Sequence, residues 1–395
     1  MVPDEMVARG VADELLNELA ARPDTIRSLP RTGAPVRVSA GDDGWGEPDL
    51  EEPIQLGALA GDSVADRLVE QISCGSGDHR DPIVDLAEAA ELRGRVIVVS
   101  GWEENQPHEV GALLARLPAL VKERGIAPAD RPRVLIAARE GDLPETVFDG
   151  LDSFTTKVHW WWGAVRRLDT AFVVTSVRRG YGAGLRELAA TEVITEIAGP
   201  DLVLAQALAT GWNGLRATLL DAVMDSVGDT GCYLPSSAGS LRQSGNRPPR
   251  QLREPWSRGL ADLWEGRVRI SPVAAELRRQ PNVLDEMVWR GQHRAFTPLV
   301  DDHRGRLEKA FLARASKSVL AELNPDRGQD PRAGRVVLEL GGMAWAVATN
   351  RVRLPHAARK LLFNLRDTRN ALAHLRPLSD EEIDTLAQLL VETEI

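Results

Sequence analysis

The chain has 395 residues, of which 43% are hydrophobic, and its 48 basic and 58 acidic side chains give a formal net charge of −10. A chain of this length can bury a large core and is expected to form more than one domain. The acidic balance excludes a protein that coats nucleic acid or an anionic membrane over its whole surface. It leaves room for one local basic patch.

The cysteines and the hydropathy pattern restrict the cellular compartment and the kinds of metal site that are expected. Two cysteines, Cys74 and Cys232, cannot build a disulfide framework or a four-thiolate metal site, which favours a reducing cytoplasm. Cys74 and His79 lack a second pair of ligands, so no zinc site is predicted. No apolar run approaches the length of about 18 residues that a membrane span needs. The first residues lack the basic and apolar regions of a secretory signal, so neither a span nor secretion is expected.

The first half of the chain has the pattern of an α/β domain. The β-branched run Val96–Val99 and the apolar run 134–137 flank a helical stretch over 108–124. This spacing is typical of a right-handed βαβ unit in a parallel sheet. A third strand is predicted at Ala171–Val174. Two further helices are predicted ahead of this unit, over 5–21 and 62–73.

Charged residues follow both predicted strands of the βαβ unit. Glu103 and Glu104 come soon after the first strand, and Arg139 comes soon after the second. This order resembles the STAND and AAA+ ATPases, and the resemblance implies a P-loop-NTPase-like domain with a nucleotide site at these three residues. The motif G-x-x-x-x-G-K-[ST] is absent, and the nearest stretch, from Gly57, has an acid in place of the lysine. A degenerate, scaffold-like NTPase domain is therefore preferred to an active ATPase, with an unrelated α/β domain as the alternative.

The second half of the chain has helical periodicity throughout. Residues 228–255 are rich in Gly, Pro and Ser and are predicted to form a linker or long loop. The predicted helices beyond it are 256–265, 283–296, 304–323, 333–349, 355–375 and 380–392. The expected domains are an α/β domain over 1–180, a helical lid-like region over 181–227 and an all-α bundle over 256–395.

The helix predicted over 355–375 carries the densest group of functional side chains. At about 3.6 residues per turn, one face is predicted to enter the core: Leu361, Leu365, Thr368, Leu372 and Leu375. Four polar side chains fall roughly opposite: Arg359, Arg366, Asn370 and His374. Between 351 and 376 there are seven basic residues and one acidic residue, so this segment carries 7 − 1 = +6. Ser379 and Glu382 are predicted to form the capping box of the next helix.

The run Arg369-Asn370-Ala371-Leu372-Ala373-His374 resembles the R-x(4–6)-H motif of the HEPN superfamily (higher eukaryotes and prokaryotes nucleotide-binding). The resemblance covers residues 285–395. It implies metal-independent cleavage in which the ribose 2′-OH attacks its own phosphodiester, so that RNA is cut and DNA is spared.

The same resemblance assigns a role to each residue of the motif. It implies that His374 moves a proton, Arg369 stabilises charge on the phosphorane, and Asn370 orients the imidazole or the phosphate. The neighbouring basic residues are the predicted RNA-binding side chains: Arg359, Lys360 and Arg366. No metal or cofactor is expected.

HEPN domains usually pair two motifs in one composite site, which implies a homodimer or a dimer with a second HEPN protein. The domain pairing resembles bacterial conflict systems and implies a ribonuclease effector of antiphage defence or of a toxin system, with a neighbouring gene product as a further partner. Neither a membrane nor DNA is expected as a partner. One alternative is a non-catalytic adaptor whose two domains assemble a multiprotein complex. Another is an NTPase that takes its phosphate loop from a partner chain.

Overall fold

The computed structural model describes residues 54–55, 63–72, 81–104, 106–139, 141–149, 151, 156–182, 184–226, 247–272, 282–323 and 338–393. These residues form a mostly helical chain with one small parallel sheet, which agrees with the coarse expectation of an α/β part and a helical part. The predicted helix over 5–21 and the Cys74–His79 pair lie outside the described residues, as does most of the glycine-containing stretch from Gly57.

The described residues divide into two compact units. Described residues up to Trp162 form the first unit together with 247–259, and 163–226 with 260–393 form the second. The first part of the chain contains β1 (Ile54–Gln55), α1 (Val64–Gln71), α2 (Pro82–Glu88), β2 (Val96–Ser100), α3 (Pro107–Glu123), β3 (Arg133–Ala137) and α4 (Glu145–Asp149). Next come α5 (Arg167–Arg178), α6 (Leu185–Ala198), α7 (Leu202–Gly211), α8 (Leu219–Asp225) and α9 (Arg253–Ser257). The remaining elements are β4 (Ala261–Trp264), β5 (Arg267–Ile270), α10 (Asn282–Leu312), α11 (Lys317–Leu323), α12 (Leu340–Ala348), α13 (His356–Ala373) and α14 (Asp380–Glu392).

The sheet of the first unit has the strand order β1-β2-β3, and both pairings are parallel. Ile97 of the central strand lies opposite Ile54 on one side and Val134 on the other. Residues 96–99 are all buried, as expected of a parallel strand that is covered on both faces. Because α3 connects β2 to β3, the predicted βαβ unit is confirmed.

The short helix α9 packs into the first unit, although the sequence predicts a linker as far as residue 255. Trp256 is 1% exposed, and its ring centroid lies 5.8 Å from that of Trp160. Trp160 also contacts Phe148, at 6.1 Å between centroids. Since aromatic rings bury a large apolar area, these contacts hold a stretch that composition alone assigns to a loop.

The third strand predicted at Ala171–Val174 is wrong, because these residues lie inside α5. Thr170, Val174 and Arg178 are buried at a spacing of four, which is the helical repeat. The Asp169 carboxylate accepts a hydrogen bond from the Arg166 N–H at 2.8 Å and so caps the first turn. The helix belongs to the second unit, not to the α/β part.

The helix predicted over 256–265 is wrong beyond α9, because β4 and β5 form an antiparallel hairpin. The connecting residues Glu265 and Gly266 have φ values of +47° and +76°. Positive φ at both central positions is the geometry of a type I′ hairpin turn, whose twist matches the flanking strands. The Glu-Gly pair between alternating apolar residues was therefore a turn signal.

The second unit is built along α10, a helix of 31 residues. The sequence predicts two separate segments, 283–296 and 304–323, but the first helix continues to Leu312. Pro298 lies inside it, and the helix continues past this residue. Phe296 and Phe311 are fully buried and enter the cores shared with α12, α13 and α14. Among the described residues no helix combines the length and apolarity needed to cross a bilayer.

Candidate functional site

The helix α13 is anchored through one face, which positions the residues of the HEPN-like motif. Leu361 and Leu365 are fully buried, and Thr368 and Leu372 continue the same buried stripe, as predicted. Leu375 departs from the prediction, since it lies beyond the helix and is 66% exposed. The buried stripe therefore ends one turn earlier than the periodicity suggests.

The three residues with predicted catalytic roles lie together at the carboxyl end of α13, and all are exposed. His374 is the C-cap residue, and its N–H donates to the Asn370 carbonyl at 3.0 Å, one turn away. The Arg369 side chain is 55% exposed and has a long contact of 3.4 Å with the Glu339 carboxylate. Among the described residues, neither the His374 ring nor the Asn370 amide has a hydrogen-bond partner. All three side chains are thus open to a ligand.

A Schellman motif ends the helix beside His374. The Arg376 N–H donates to the Ala371 carbonyl at 3.0 Å, and the Leu375 N–H donates to the Leu372 carbonyl at 3.2 Å. Leu375 has a φ of +58° at the position where glycine is usual. A residue with a Cβ atom costs about 1–2 kcal/mol in this conformation, so the turn next to His374 is strained.

Replacing Leu375 with glycine is expected to raise the free energy of unfolding by about 1 kcal/mol, because glycine removes the left-handed strain and the exposed leucine loses little packing. Urea unfolding followed by circular dichroism measures the change. Leu375→Ala is the matched control, since it also shortens the side chain but keeps the strain. Equal stability of the alanine and glycine variants would contradict the expectation.

Two side chains of α10 hold the turn that carries His374. Trp289 Nε1 donates to the Leu372 carbonyl at 2.7 Å. Gln292, 3% exposed, donates through Nε2 to the Leu378 carbonyl at 3.1 Å and accepts from the Leu378 N–H at 2.6 Å. These hydrogen bonds from α10 fix the position of the turn.

Sequence reasoning missed both of these positioning residues, although one signal was available. Gln292 lies between Val288 and Ala295 at helical spacing, and both of those neighbours are buried. A polar side chain on an otherwise apolar face must find partners inside the protein. The helical spacing around Gln292 therefore indicated that its side chain forms hydrogen bonds inside the protein.

The Arg376 side chain ties the end of α13 to the start of α14. Its guanidinium donates twice to the Glu382 carboxylate, at 2.8 and 2.9 Å. The predicted capping box is confirmed, because Ser379 and Glu382 exchange hydrogen bonds at 2.8 and 3.2 Å. The hydrogen bonds from Arg376 lower the pKa of Glu382 to about 2.

Glu382→Gln is expected to lower the free energy of unfolding by about 1 kcal/mol at pH 7, since solvent screens a carboxylate that is 40% exposed. The pKa of Glu382 falls on folding from 4.5 to about 2. Its stabilisation is therefore present above about pH 4.5 and is lost as the pH falls towards 2. Glutamine keeps the capping hydrogen bond, so the variant isolates the ion pair. Urea unfolding at pH 7 and pH 3 should show that the difference in unfolding free energy between the parent and Glu382→Gln is smaller at pH 3. An equal difference at both pH values would count against the ion pair.

The predicted RNA-binding residues lie on the earlier turns of α13. The guanidinium carbons of Arg359 and Arg366 lie 5.8 and 4.9 Å from the centroid of the Phe363 ring. Arg366 also pairs with Asp367 at 2.7 Å. Lys360 is exposed and has no carboxylate partner among the described residues. The structure thus brings two of the three cations together over one aromatic ring.

The basic segment over 351–376 is less basic in the fold than in the sequence. Four of its cations have a carboxylate partner, which is Glu322, Asp367, Glu339 or Glu382. Three have none among the described residues: Arg353, Arg359 and Lys360. Exposed ion pairs of this kind contribute little energy, so an incoming phosphate can compete for them.

The charged residues that follow β2 and β3 are engaged inside the first unit. Glu104 forms an ion pair with Arg67, and their side chains are only 4% and 1% exposed. Arg139 pairs with Asp142 at 3.0 Å. The side chain of Glu103 lies outside the described set. Within the described part of the chain, no group of three metal-ligating side chains occurs.

Comparison with known proteins adds no relative for the chain. No protein-family model, no curated protein and no solved structure matches it. The candidate site is therefore defined by the residues at the end of α13 and by the contacts that hold them.

Proposed function

We propose that the chain is a metal-independent endoribonuclease of the HEPN type, with its site at the carboxyl end of α13. The observation that carries the proposal is that Arg369, Asn370 and His374 are all exposed at one helix end whose opposite face is buried. Asn370 and His374 have no side-chain partner among the described residues, and the one contact of Arg369, with Glu339, is long and exposed, so a structural role does not account for the three. Their exposure on a fixed turn supports a role towards a ligand.

The reaction needs no metal ion or cofactor. The ribose 2′-oxygen bonds to phosphorus as the bond from phosphorus to the 5′-oxygen breaks, which leaves a 2′,3′-cyclic phosphate and a free 5′-OH. His374 transfers the proton that leaves the 2′-OH or the proton that joins the 5′-oxygen. Arg369 offers a forked pair of donors to the charge on phosphorus, and Asn370 orients the phosphate or the imidazole.

The same chemistry favours a pair of motifs. One group must accept the proton of the 2′-OH, and another must donate to the leaving oxygen. A single motif supplies one histidine. The site is therefore completed by a second copy of the chain.

The first unit is proposed to act as a degenerate scaffold related to the STAND ATPases. Glu104 is held by Arg67 in a buried ion pair, and Arg139 is held by Asp142. Residues that serve the fold in this way are poorly placed to hold Mg²⁺ or to polarise water. In a cytoplasmic conflict system this unit would sense or scaffold while the second unit cuts RNA.

A second candidate, a non-catalytic adaptor, is favoured by one exposed apolar face. Leu168 and Phe172 lie one turn apart on α5 and are 80% and 69% exposed. Adjacent exposed apolar side chains often mark a protein contact. The adaptor predicts tight co-purification with a neighbouring gene product and no RNA cleavage.

The product chemistry separates the two candidates. Purified chain is incubated with end-labelled single-stranded RNA in the presence of EDTA, and the new ends are identified. Products that carry 2′,3′-cyclic phosphate, and no products from a substrate with 2′-deoxyribose, support the nuclease. Intact RNA at every protein concentration up to a tenfold excess over substrate would overturn it.

A further inference from the structure

A groove in the second unit lies between the β4–β5 hairpin and α10. It has a volume of about 740 Å³. Its walls carry four arginines, namely Arg267, Arg269, Arg290 and Arg294, together with Trp264, Trp289, His293 and a single acid, Glu265. Nothing in the motif at the end of α13 accounts for this composition.

The charge of the groove stays positive after its ion pairs are counted. Arg294 lies 2.9 Å from Glu265 and 3.2 Å from Glu196, and Arg290 lies 2.6 Å from Glu286. With Glu196 and Glu286 included, four arginines face three carboxylates, so the balance is 4 − 3 = +1, without His293. Arg267 is exposed and has no carboxylate partner in the described part of the chain.

Arg269 and Trp264 form the buried part of the wall. Trp264 Nε1 and Arg269 Nε are buried, and neither has an acceptor among the described residues. Burial lowers the pKa of Arg269 to about 10, although the charge of the neighbouring Glu196 carboxylate acts in the opposite direction. The Arg269 guanidinium also donates to the Glu196 carbonyl and lies 3.8 Å from its carboxylate, so the cations of the groove that an anionic ligand can reach are Arg267, Arg290 and Arg294.

The aromatic side chains and the position of the groove specify the anion further. The rings of Trp289 and His293 lie 5.5 Å apart, and such surfaces stack nucleobases. Trp289 also donates to the Leu372 carbonyl, two residues before His374. The groove and the turn that carries the motif therefore share a side chain.

We infer that this groove binds a single-stranded segment of the RNA that the end of α13 cleaves, a proposal that rests on the proposed function. Arg267, Arg290 and Arg294 contact phosphates through their forked donors, and Trp289 and His293 stack bases. Arg267 and Arg290 are the cations best placed for the test, because neither is buried and removing them leaves Glu196 paired with Arg167 and Arg294.

The test measures binding apart from cleavage. The full chain is titrated into fluorescein-labelled 2′-O-methyl RNA, which it cannot cut, and anisotropy gives the Kd at several salt concentrations. The double variant Arg267→Ala/Arg290→Ala is expected to bind at least tenfold more weakly. Loss of two phosphate contacts should also reduce the slope of log Kd against log salt by about 1.4.

The matched control removes the same charge from elsewhere in the unit. Arg306 and Arg314 are exposed near the end of α10, outside the groove, and Arg306→Ala/Arg314→Ala should change the Kd less than twofold. An unchanged Kd and salt slope in the groove variant, or no binding by the parent, would overturn the inference. If the groove variant loses binding while the parent cuts no RNA, the proposed function fails and the groove remains an RNA site.

Discussion

Replacement of His374 by alanine is expected to slow RNA cleavage at least a hundredfold. Proton transfer by a positioned histidine contributes about 10²–10⁴-fold to such reactions. The ring is exposed and has no hydrogen-bond partner among the described residues, so the free energy of unfolding should stay within about 0.5 kcal/mol of the parent. Initial rates on an end-labelled RNA, with urea unfolding of the same preparations, measure both quantities.

His356→Ala is the matched control for this prediction. His356 is the first residue of the same helix and is also exposed, but it lies outside the motif. We expect its cleavage rate to stay within twofold of the parent. Equal rates for the parent and His374→Ala would show that His374 moves no proton, whatever else the site does.

Arg369 adds a distinction between charge and geometry. Arg369→Lys keeps the positive charge but loses the planar fork that matches two phosphate oxygens. Its rate is therefore expected to fall between those of the parent and Arg369→Ala. This order would identify bidentate contact with the phosphate as the role of the guanidinium.

The parts of the fold that the sequence predicts well are those in which local pattern and burial agree. Residues 96–99 form a continuous apolar run because both of their faces are covered. The buried stripe of α13 repeats at helical spacing as far as Leu372, and the Ser379–Glu382 capping box depends on residues three apart. Each of these patterns lies within one short segment, so the amino-acid sequence alone predicts the corresponding structure.

The parts that were missed depend on contacts between distant segments. Residues 253–255, predicted as linker, belong to α9, whose Trp256 contacts Trp160 almost a hundred residues earlier in the chain. The turn of the β4–β5 hairpin is difficult to predict from its Glu-Gly pair, because Glu265 has a positive φ, which is uncommon for a residue other than glycine. The groove combines that hairpin with α10, and no spacing rule connects the two.

The candidate site shows the same division. The exposure of Asn370 and His374 follows from the helical repeat, so periodicity predicts it. Arg369 pairs with Glu339, which precedes α13 in the chain, and Arg376 pairs with Glu382, which follows it. A count of charges over 351–376 therefore overstates the free positive charge, because it cannot include carboxylates that only the fold brings near.

Replacing Gly291 with alanine is expected to lower the free energy of unfolding by about 2 kcal/mol. A Cβ atom there would lie 2.6 Å from Val193 Cα and 2.7 Å from Val193 N, so α6 and α10 would have to separate. Overpacking costs about 1–3 kcal/mol and sometimes more, and backbone atoms cannot rotate away as a side chain can. This cost outweighs the gain of about 1 kcal/mol that alanine brings to a helix interior.

Gly291 also lies between Trp289 and Gln292, the residues that hold the turn at the end of α13. A shift of α10 should therefore slow RNA cleavage even at temperatures where the variant is folded. Gly305→Ala on the same helix is the control, because its Cβ meets nothing within 4 Å, and it should gain about 0.5–1 kcal/mol from helix propensity. Urea unfolding measures the stability of both variants. If Gly291→Ala is as stable as Gly305→Ala, α6 and α10 do not pack closely enough for a Cβ atom at residue 291 to clash with Val193.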